Sequence, residues 1–138
     1  MIEFADTEEK LRDCFAVMVQ LRPHLDLDSF LEKVAIQFQA GYRVVCIKDN
    51  NKVVAVAGIR ISRNLAWGKF LYVDDLVTDA NSRSKGYGKQ LLDWLIDYAK
   101  QNDCKQFHLD SGVQRKDAHR FYEREGLTNM GHHYSLAL

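Results

Sequence analysis

The stretch Arg83-Ser84-Lys85-Gly86-Tyr87-Gly88-Lys89 lies between a β-branched run ending at Thr78 and a helix-patterned segment that starts at Gly86. Two glycines let the backbone approach a ligand closely, and a helix start leaves unpaired N–H groups pointing outward. Those amides and the positive end of the helix dipole make an anion site suited to phosphate. Arg83, Lys85 and Lys89 add positive charge there. Two familiar nucleotide loops fail on spacing. The ATP-type G-x-x-x-x-G-K-S/T pattern is absent, and Gly86-x-Gly88-x-x-Leu91 lacks the third glycine of a dinucleotide fingerprint. Just upstream, Tyr72-Val73-Asp74-Asp75-Leu76 puts two adjacent carboxylates on a strand. Strand neighbours face opposite sides, so Asp74 and Asp75 cannot do the same job unless a bulge intervenes.

The flanking pattern predicts the elements that position these groups. Thr7 caps a helix through about Leu21, with Leu11, Phe15, Met18 and Val19 on one stripe, and Pro23 ends it. A second helix starts at Asp28 or Ser29, carries Phe30, Leu31, Val34 and Phe38, and stops near Gly41. Tyr42–Lys48 and Lys52–Ile61 are strands joined by the hairpin turn Asp49-Asn50-Asn51, and Phe70–Thr78 is a third strand of the meander. Gly86–Gln101 has Leu91, Leu92, Leu95, Ile96 and Ala99 at helical spacing. A short strand over Phe107–Asp110, a helix over Ala118–Glu125 and a closing strand over Asn129–Ala137 follow, and Ile2–Ala5 is read as the first strand. An antiparallel run followed by crossovers gives an α+β fold with a mixed sheet.

The glycine-rich stretch resembles the signature of the GNAT superfamily of acetyl-CoA-dependent N-acetyltransferases, Arg/Gln-x-x-Gly-x-Gly/Ala, which Arg83-x-x-Gly86-x-Gly88 matches. A second family element, Ala-x-x-Phe/Leu-Tyr-x-x-x-Gly-Phe/Leu, is matched by Ala118 to Leu127, with Phe121-Tyr122 and Gly126 in register. The resemblance implies a mixed, mostly antiparallel sheet of six to seven strands flanked by four helices, in a single domain over residues 1–138. It implies acetyl-CoA as co-substrate, its pyrophosphate held by the backbone of Arg83, Ser84, Lys85, Gly86, Tyr87, Gly88 and Lys89. The pantetheine arm then pairs with the strand end Leu76, Val77 and Thr78, where a backbone N–H also polarises the thioester carbonyl. Tyr122 corresponds to the general acid that protonates the departing thiolate, and Phe121 should then face the core. Asp75, or alternatively Asp74, would hold the acceptor amine or take its proton, and alternation alone leaves open which. Arg115 stands where many members have Asn, and could bring a guanidinium to phosphate or to a substrate carboxylate. His119 either lines the site or belongs to a solvated helix face.

The acceptor is read as a primary amine of a small molecule, and the resemblance implies a site built from residues 21–27, 61–69 and the last strands, where His24, Asp26, Asp28, Arg60, Arg63 and Trp67 stand. A protein lysine or N-terminus, and a catalytically silent acetyl-CoA-binding module, are the alternatives. Composition bounds the rest. The 138 residues carry 19 Lys plus Arg against 19 Asp plus Glu, so no basic excess points to nucleic acid. No apolar run is long enough to span a membrane and no leader pattern opens the chain, so a cytoplasmic protein is expected. Cys14, Cys46 and Cys104 lack paired spacing and read as buried free thiols. The five histidines form no metal set, so no metal is expected. Dimerisation through Asn129–Leu138 is allowed by this architecture, since exposed strand edges are commonly covered by pairing.

Overall fold

A computed structural model describes all 138 residues, Met1–Leu138. Its elements are β1 (Ile2–Phe4), α1 (Glu8–Leu21), α2 (Leu27–Gln39), β2 (Tyr42–Asp49), β3 (Lys52–Asn64), β4 (Gly68–Thr78), a short 3-10 turn (Ala80–Ser82), α3 (Tyr87–Gln101), β5 (Gln106–Leu109) and α4 (Lys116–Arg124). They group into two compact units, Met1–His108 and Leu109–Leu138.

Local chemistry explains the boundaries of the first unit. Thr7 Oγ1 accepts the Lys10 N–H at 3.2 Å, and Glu8 and Glu9 sit in the first turn of α1, where the helix dipole favours negative charge. Asp26 caps α2 through a reciprocal box with Ser29, which starts that helix at Leu27, ahead of the expected Asp28 or Ser29. Asn50 and Asn51 both adopt positive φ, the geometry that a two-residue hairpin turn requires and that Asn tolerates. Asn64 Oδ1 accepts the Trp67 N–H at 2.7 Å and tightens the second hairpin.

The sheet runs β1-β2-β3-β4-β5, with antiparallel pairing from β1 to β4. The α3 crossover returns β5 to the far edge, so the sheet is mixed. β3 is buried at every position from Val53 to Ile59, the pattern of a strand covered on both faces. On one face Tyr42, Val44 and Cys46 join Leu11, Cys14, Val17 and Met18 of α1 and Phe30 and Val34 of α2. On the other, Val45 and Ile47 point toward the side covered by α3, whose Leu91, Leu92 and Leu95 are fully buried. The α1 stripe is rotated from expectation. Cys14 and Val17 are core while Phe15 and Val19 are half-buried, because cysteine packs as a small hydrophobe. Cys46 is buried too, and Cys104 half-buried.

The α+β architecture with four helices stands, with five strands in place of six to seven. The expected closing strand over Asn129–Ala137 is not formed. Those residues alternate as a strand would, yet Tyr134, Leu136 and Leu138 are exposed, and the segment has no neighbouring strand to supply a ladder. A strand exists only through its hydrogen-bonded partner, and alternation alone does not provide one.

Leu95→Ala is expected to cost about 3 kcal/mol by leaving a cavity under α3, measured by urea unfolding. Leu65→Ala, at a fully exposed position, should change stability by less than about 0.5 kcal/mol.

Candidate active site

The site begins with an irregularity in β4. Along the β3–β4 ladder Gly58 lies opposite Asp75 and Ile59 opposite Val73, so Asp74 is an extra residue in the strand. This bulge removes the simple alternation and sends the two carboxylates to separate partners. Asp74 takes a bidentate pair from Arg60, with Nε to Oδ2 at 2.7 Å and Nη2 to Oδ1 at 2.8 Å. Asp75, at 12% side-chain exposure, accepts Arg22 Nε on Oδ1 at 2.9 Å and Tyr42 Oη on Oδ2 at 2.6 Å. Arg22 also donates from Nη2 to the Asp74 carbonyl at 2.9 Å, so one guanidinium spans the bulge. Burial, and then the Asp75 charge, push the Tyr42 phenol well above its ordinary value, so it remains a donor to Asp75.

Gly58 makes this network possible. A Cβ there would overlap Tyr42 Oη and Asp75 Oδ2, so the strand opposite the bulge must carry no side chain. Beside the network lies a cavity of about 280 Å³. Met18, Leu25, Phe30 and Val34 form its apolar walls. Arg22, His24, Lys33, Gln37, Tyr42 and Asp75 supply polar groups. Arg22, Lys33, Tyr42 and Gly58 are site residues that motif reasoning does not find. They are scattered along the chain and meet only through the end of α1, α2, β2 and β3. Asp26, Arg63 and Trp67 serve local structure or the far hairpin, where Trp67 stacks on His108 at 3.5 Å between centroids.

At the end of β4 the chain is anchored before the glycine-rich turn. Asp79 is buried and accepts Gln20 Nε2 at 2.8 Å, while Gln20 Oε1 accepts the Ala80 N–H at 2.9 Å. The Gln20 hydrogen bond, assisted by the charge of Lys52, holds the Asp79 carboxyl below the usual range. After the short 3-10 turn, Ser84 and Gly86 take positive φ, and Gly86 is the N-cap of α3 with no side-chain cap. The first intrahelical bond of α3 is Gln90 N–H to Gly86 O at 3.0 Å, which leaves the earlier amides open. Nothing lies within 4 Å of a Cβ position at Gly86. Arg83, Ser84 and Lys85 are exposed, Tyr87 is tied by its hydroxyl to Asp49 of the β2–β3 turn, and Lys89 pairs with Asp93. An open set of amides at a helix start fits an anionic phosphate group.

Beside this turn, Leu76, Val77 and Thr78 pair with Ala57, Val56 and Ala55 of β3. On the other side β5 has four residues and begins where the Lys105 N–H donates to Lys69 O at 2.7 Å. Four residues from that level do not reach Leu76, so the last part of β4 is a half-exposed edge beyond β5.

In the second unit, Tyr122 is the buried residue of α4, and burial raises its phenol pKa against an opposing pull from Arg115. Phe121 is the half-exposed neighbour, with the Arg124 guanidinium 5.7 Å from its ring centroid, which corrects the expectation that it faces the core. Successive helix residues are about 100° apart, so only one of the two takes the inward direction. Arg115 is exposed at the N-cap of α4. His119 Nε2 lies 2.7 Å from the Gly112 carbonyl, and since a carbonyl only accepts, that nitrogen carries the proton. The ring therefore ties the turn to the helix.

A family model described as the acetyltransferase (GNAT) family matches residues 4–127. The chain belongs to the GNAT family. It is an acetyl-transferring acyltransferase, of a family that uses acetyl-CoA as co-substrate. It is 36% identical over 124 residues to an uncharacterized N-acetyltransferase, YhdJ, of Bacillus subtilis, covering 88% of this chain and 87% of that one. It is 27% identical over 137 residues to an aminoalkylphosphonate N-acetyltransferase of Salmonella typhimurium, covering 96% and 88%. It is 30% identical over 91 residues to a glucosamine 6-phosphate N-acetyltransferase of Arabidopsis thaliana, covering 62% and 59%. A crystal structure of glucosamine-6-phosphate N-acetyltransferase from that plant shares the GNAT fold at a TM-score of 0.77 and 22% identity, covering 99% of this chain and 98% of that one. No helix is long and apolar enough to cross a membrane.

Two outcomes test the supports of this GNAT site. Gly58→Ala should cost about 1–3 kcal/mol through overpacking, read by thermal melting. Asp79 has a folded pKa below its unfolded value of about 3.9, so its contribution is complete above that pH and is lost as pH falls through the folded pKa. Asp79→Asn should therefore destabilise the protein at pH 7 and flatten its stability loss on acidification, measured by urea unfolding between pH 7 and pH 3.

Proposed function

We propose that this chain transfers the acetyl group of acetyl-CoA to the primary amine of a small molecule by direct attack, with both compact units serving one acetyltransferase domain. The observation that carries the reading is the cavity beside Asp75, lined from α1, α2, their connection, β2 and β4 and of a size for a small ligand. A protein lysine or N-terminus would need an open groove for its flanking peptide. The named substrates of two relatives, glucosamine 6-phosphate and aminoalkylphosphonates, are likewise small amines.

The open amides of Tyr87, Gly88 and Lys89, with Arg83, Ser84, Lys85 and Gly86, hold the pyrophosphate. Of the charged groups, Arg83 and Lys85 are uncommitted, whereas Lys89 is shared with Asp93. The edge of Leu76, Val77 and Thr78 pairs with the pantetheine arm and gives one N–H to the thioester carbonyl oxygen. The co-substrate supplies an acetyl group on a thiolate leaving group. Asp75 accepts an N–H of the acceptor amine and aims its lone pair, and the proton lost from nitrogen leaves through water. Asp75 is the better choice than Asp74, because Asp74 is closed by both Arg60 nitrogens while Asp75 faces the cavity. As the C–N bond forms and the C–S bond breaks, Tyr122 gives its proton to sulfur. A phenol whose pKa is raised by burial stays protonated at neutral pH, as an acid for this step must. Arg115, exposed at the start of α4, is a second candidate for phosphate contact. Residues 129–138 pair with a second copy in this reading, because their exposed alternating side chains lack a partner strand.

The test is CoA release from acetyl-CoA with a panel of small primary amines. Tyr122→Phe should lower kcat about 10²-fold or more while leaving acetyl-CoA affinity within about twofold of wild type. Equal kcat in the variant would remove Tyr122 from the mechanism. Absence of acetyl-CoA binding in calorimetry would remove the cofactor site.

A further inference from the structure

We infer that the acceptor is a small primary amine whose far end carries an anionic group, read by Lys33 with help from His24. This rests on the acetyl-transfer reading above and concerns the same cavity. Asp75 is the only acidic side chain on the cavity wall, and its charge is already met by Arg22 Nε at 2.9 Å. The pair is neutral as a unit, so an ammonium group approaching it gains little from Asp75 and meets the guanidinium beside it. That suits an amine that must react as its free base, but it removes charge attraction as the source of affinity.

The remaining lining charge is Lys33, from α2. Lys33 forms no ion pair within the fold, and His24 adds a ring nitrogen from the α1–α2 connection. The cavity therefore holds one uncompensated positive charge. A diamine or polyamine places its second cation against that charge. A neutral alkylamine leaves it unused. An amine bearing phosphate, phosphonate or carboxylate satisfies Asp75 through N–H and Lys33 through a charge-assisted hydrogen bond. The apolar lining, including Leu25, Phe30 and Val34, suits the short linking carbons. The Gln37 amide can meet a hydroxyl on that linker.

The test compares kcat/KM for ethanolamine phosphate, β-alanine, propylamine and 1,3-diaminopropane at saturating acetyl-CoA. The expected result is a preference of about tenfold or more for an anionic amine over propylamine, since a charged hydrogen bond is worth about 1.5–3 kcal/mol. Lys33→Gln should collapse that ratio, and Lys33→Arg should restore most of it. Ethanolamine phosphate against β-alanine tells a phosphate-type group from a carboxylate. Propylamine or 1,3-diaminopropane used as well as the anionic amines would overturn the inference while leaving acetyl transfer intact. Should no amine be acetylated, the transfer reading fails separately, and calorimetry with inorganic phosphate decides the anion subsite. Phosphate binding to wild type that weakens about tenfold in Lys33→Gln supports it, and no binding to wild type overturns it.

Discussion

A single extra residue in β4 organises the polar network around Asp74 and Asp75. In an unbroken strand Asp74 and Asp75 would project to opposite faces of the sheet. The bulge at Asp74 turns both carboxylates to useful partners, one to Arg60 and one to the buried Tyr42 and Arg22. Buried carboxylates are tolerated only when their oxygens are occupied, and here every Asp75 oxygen has a donor. The two donors, Arg22 and Tyr42, come from segments distant in sequence. The bulge therefore fixes α1 and β2 against β4 as much as it fixes the chemistry.

The same logic governs the glycine-rich turn. A glycine-rich turn offers amides only if its geometry is held, because flexible amides bind phosphate at an entropic cost. Gln20 clamps the chain on both sides of the Asp79–Ala80 peptide, and Tyr87 ties the first turn of α3 to Asp49. Both ties reach back to elements formed earlier in the chain. Arg22, two residues beyond Gln20, belongs to the acceptor network. The end of α1 thus supports both halves of the site, which is why an amphipathic helix with no catalytic residue of its own carries such specific polar side chains.

Most elements of the first unit were readable in the sequence, since caps, turn asparagines and apolar periodicity all act locally. Thr7, the Asn50-Asn51 turn and the leucines of α3 each state their role within a few residues. The glycine-rich turn was legible for the same reason. The bulge was named only as a condition, since nothing in Tyr72-Val73-Asp74-Asp75-Leu76 says that Gly58 will stand opposite and leave room. Arg22, Tyr42 and Lys33 carry no local signal at all. Each is an ordinary residue for its element, and becomes part of a site only when β2, α2 and the end of α1 converge. The closing strand failed for the converse reason: residues 129–137 have the right alternation, but a strand is a property of a pair.

These facts bear on how such a site can be selective while its catalytic parts stay fixed. The glycine-rich turn and the edge of β4, the proposed cofactor contacts, offer backbone groups, so side-chain changes nearby leave them in place. The acceptor cavity is instead lined by side chains of α1, α2 and their connection, and only Asp75 and Tyr42 reach in from the sheet. Arg22 neutralises Asp75 from the end of α1, so the proposed amine contact is set by the scaffold, while lining residues such as Lys33 and His24 are free to vary. A change at position 33 alters charge on the cavity lining without touching the bulge, the glycine-rich turn or the core beneath α3. The division of labour follows from burial: Asp75 and Tyr42 are held in the sheet with their oxygens bonded, and Lys33, the group proposed to distinguish one amine from another, lies exposed on a helix.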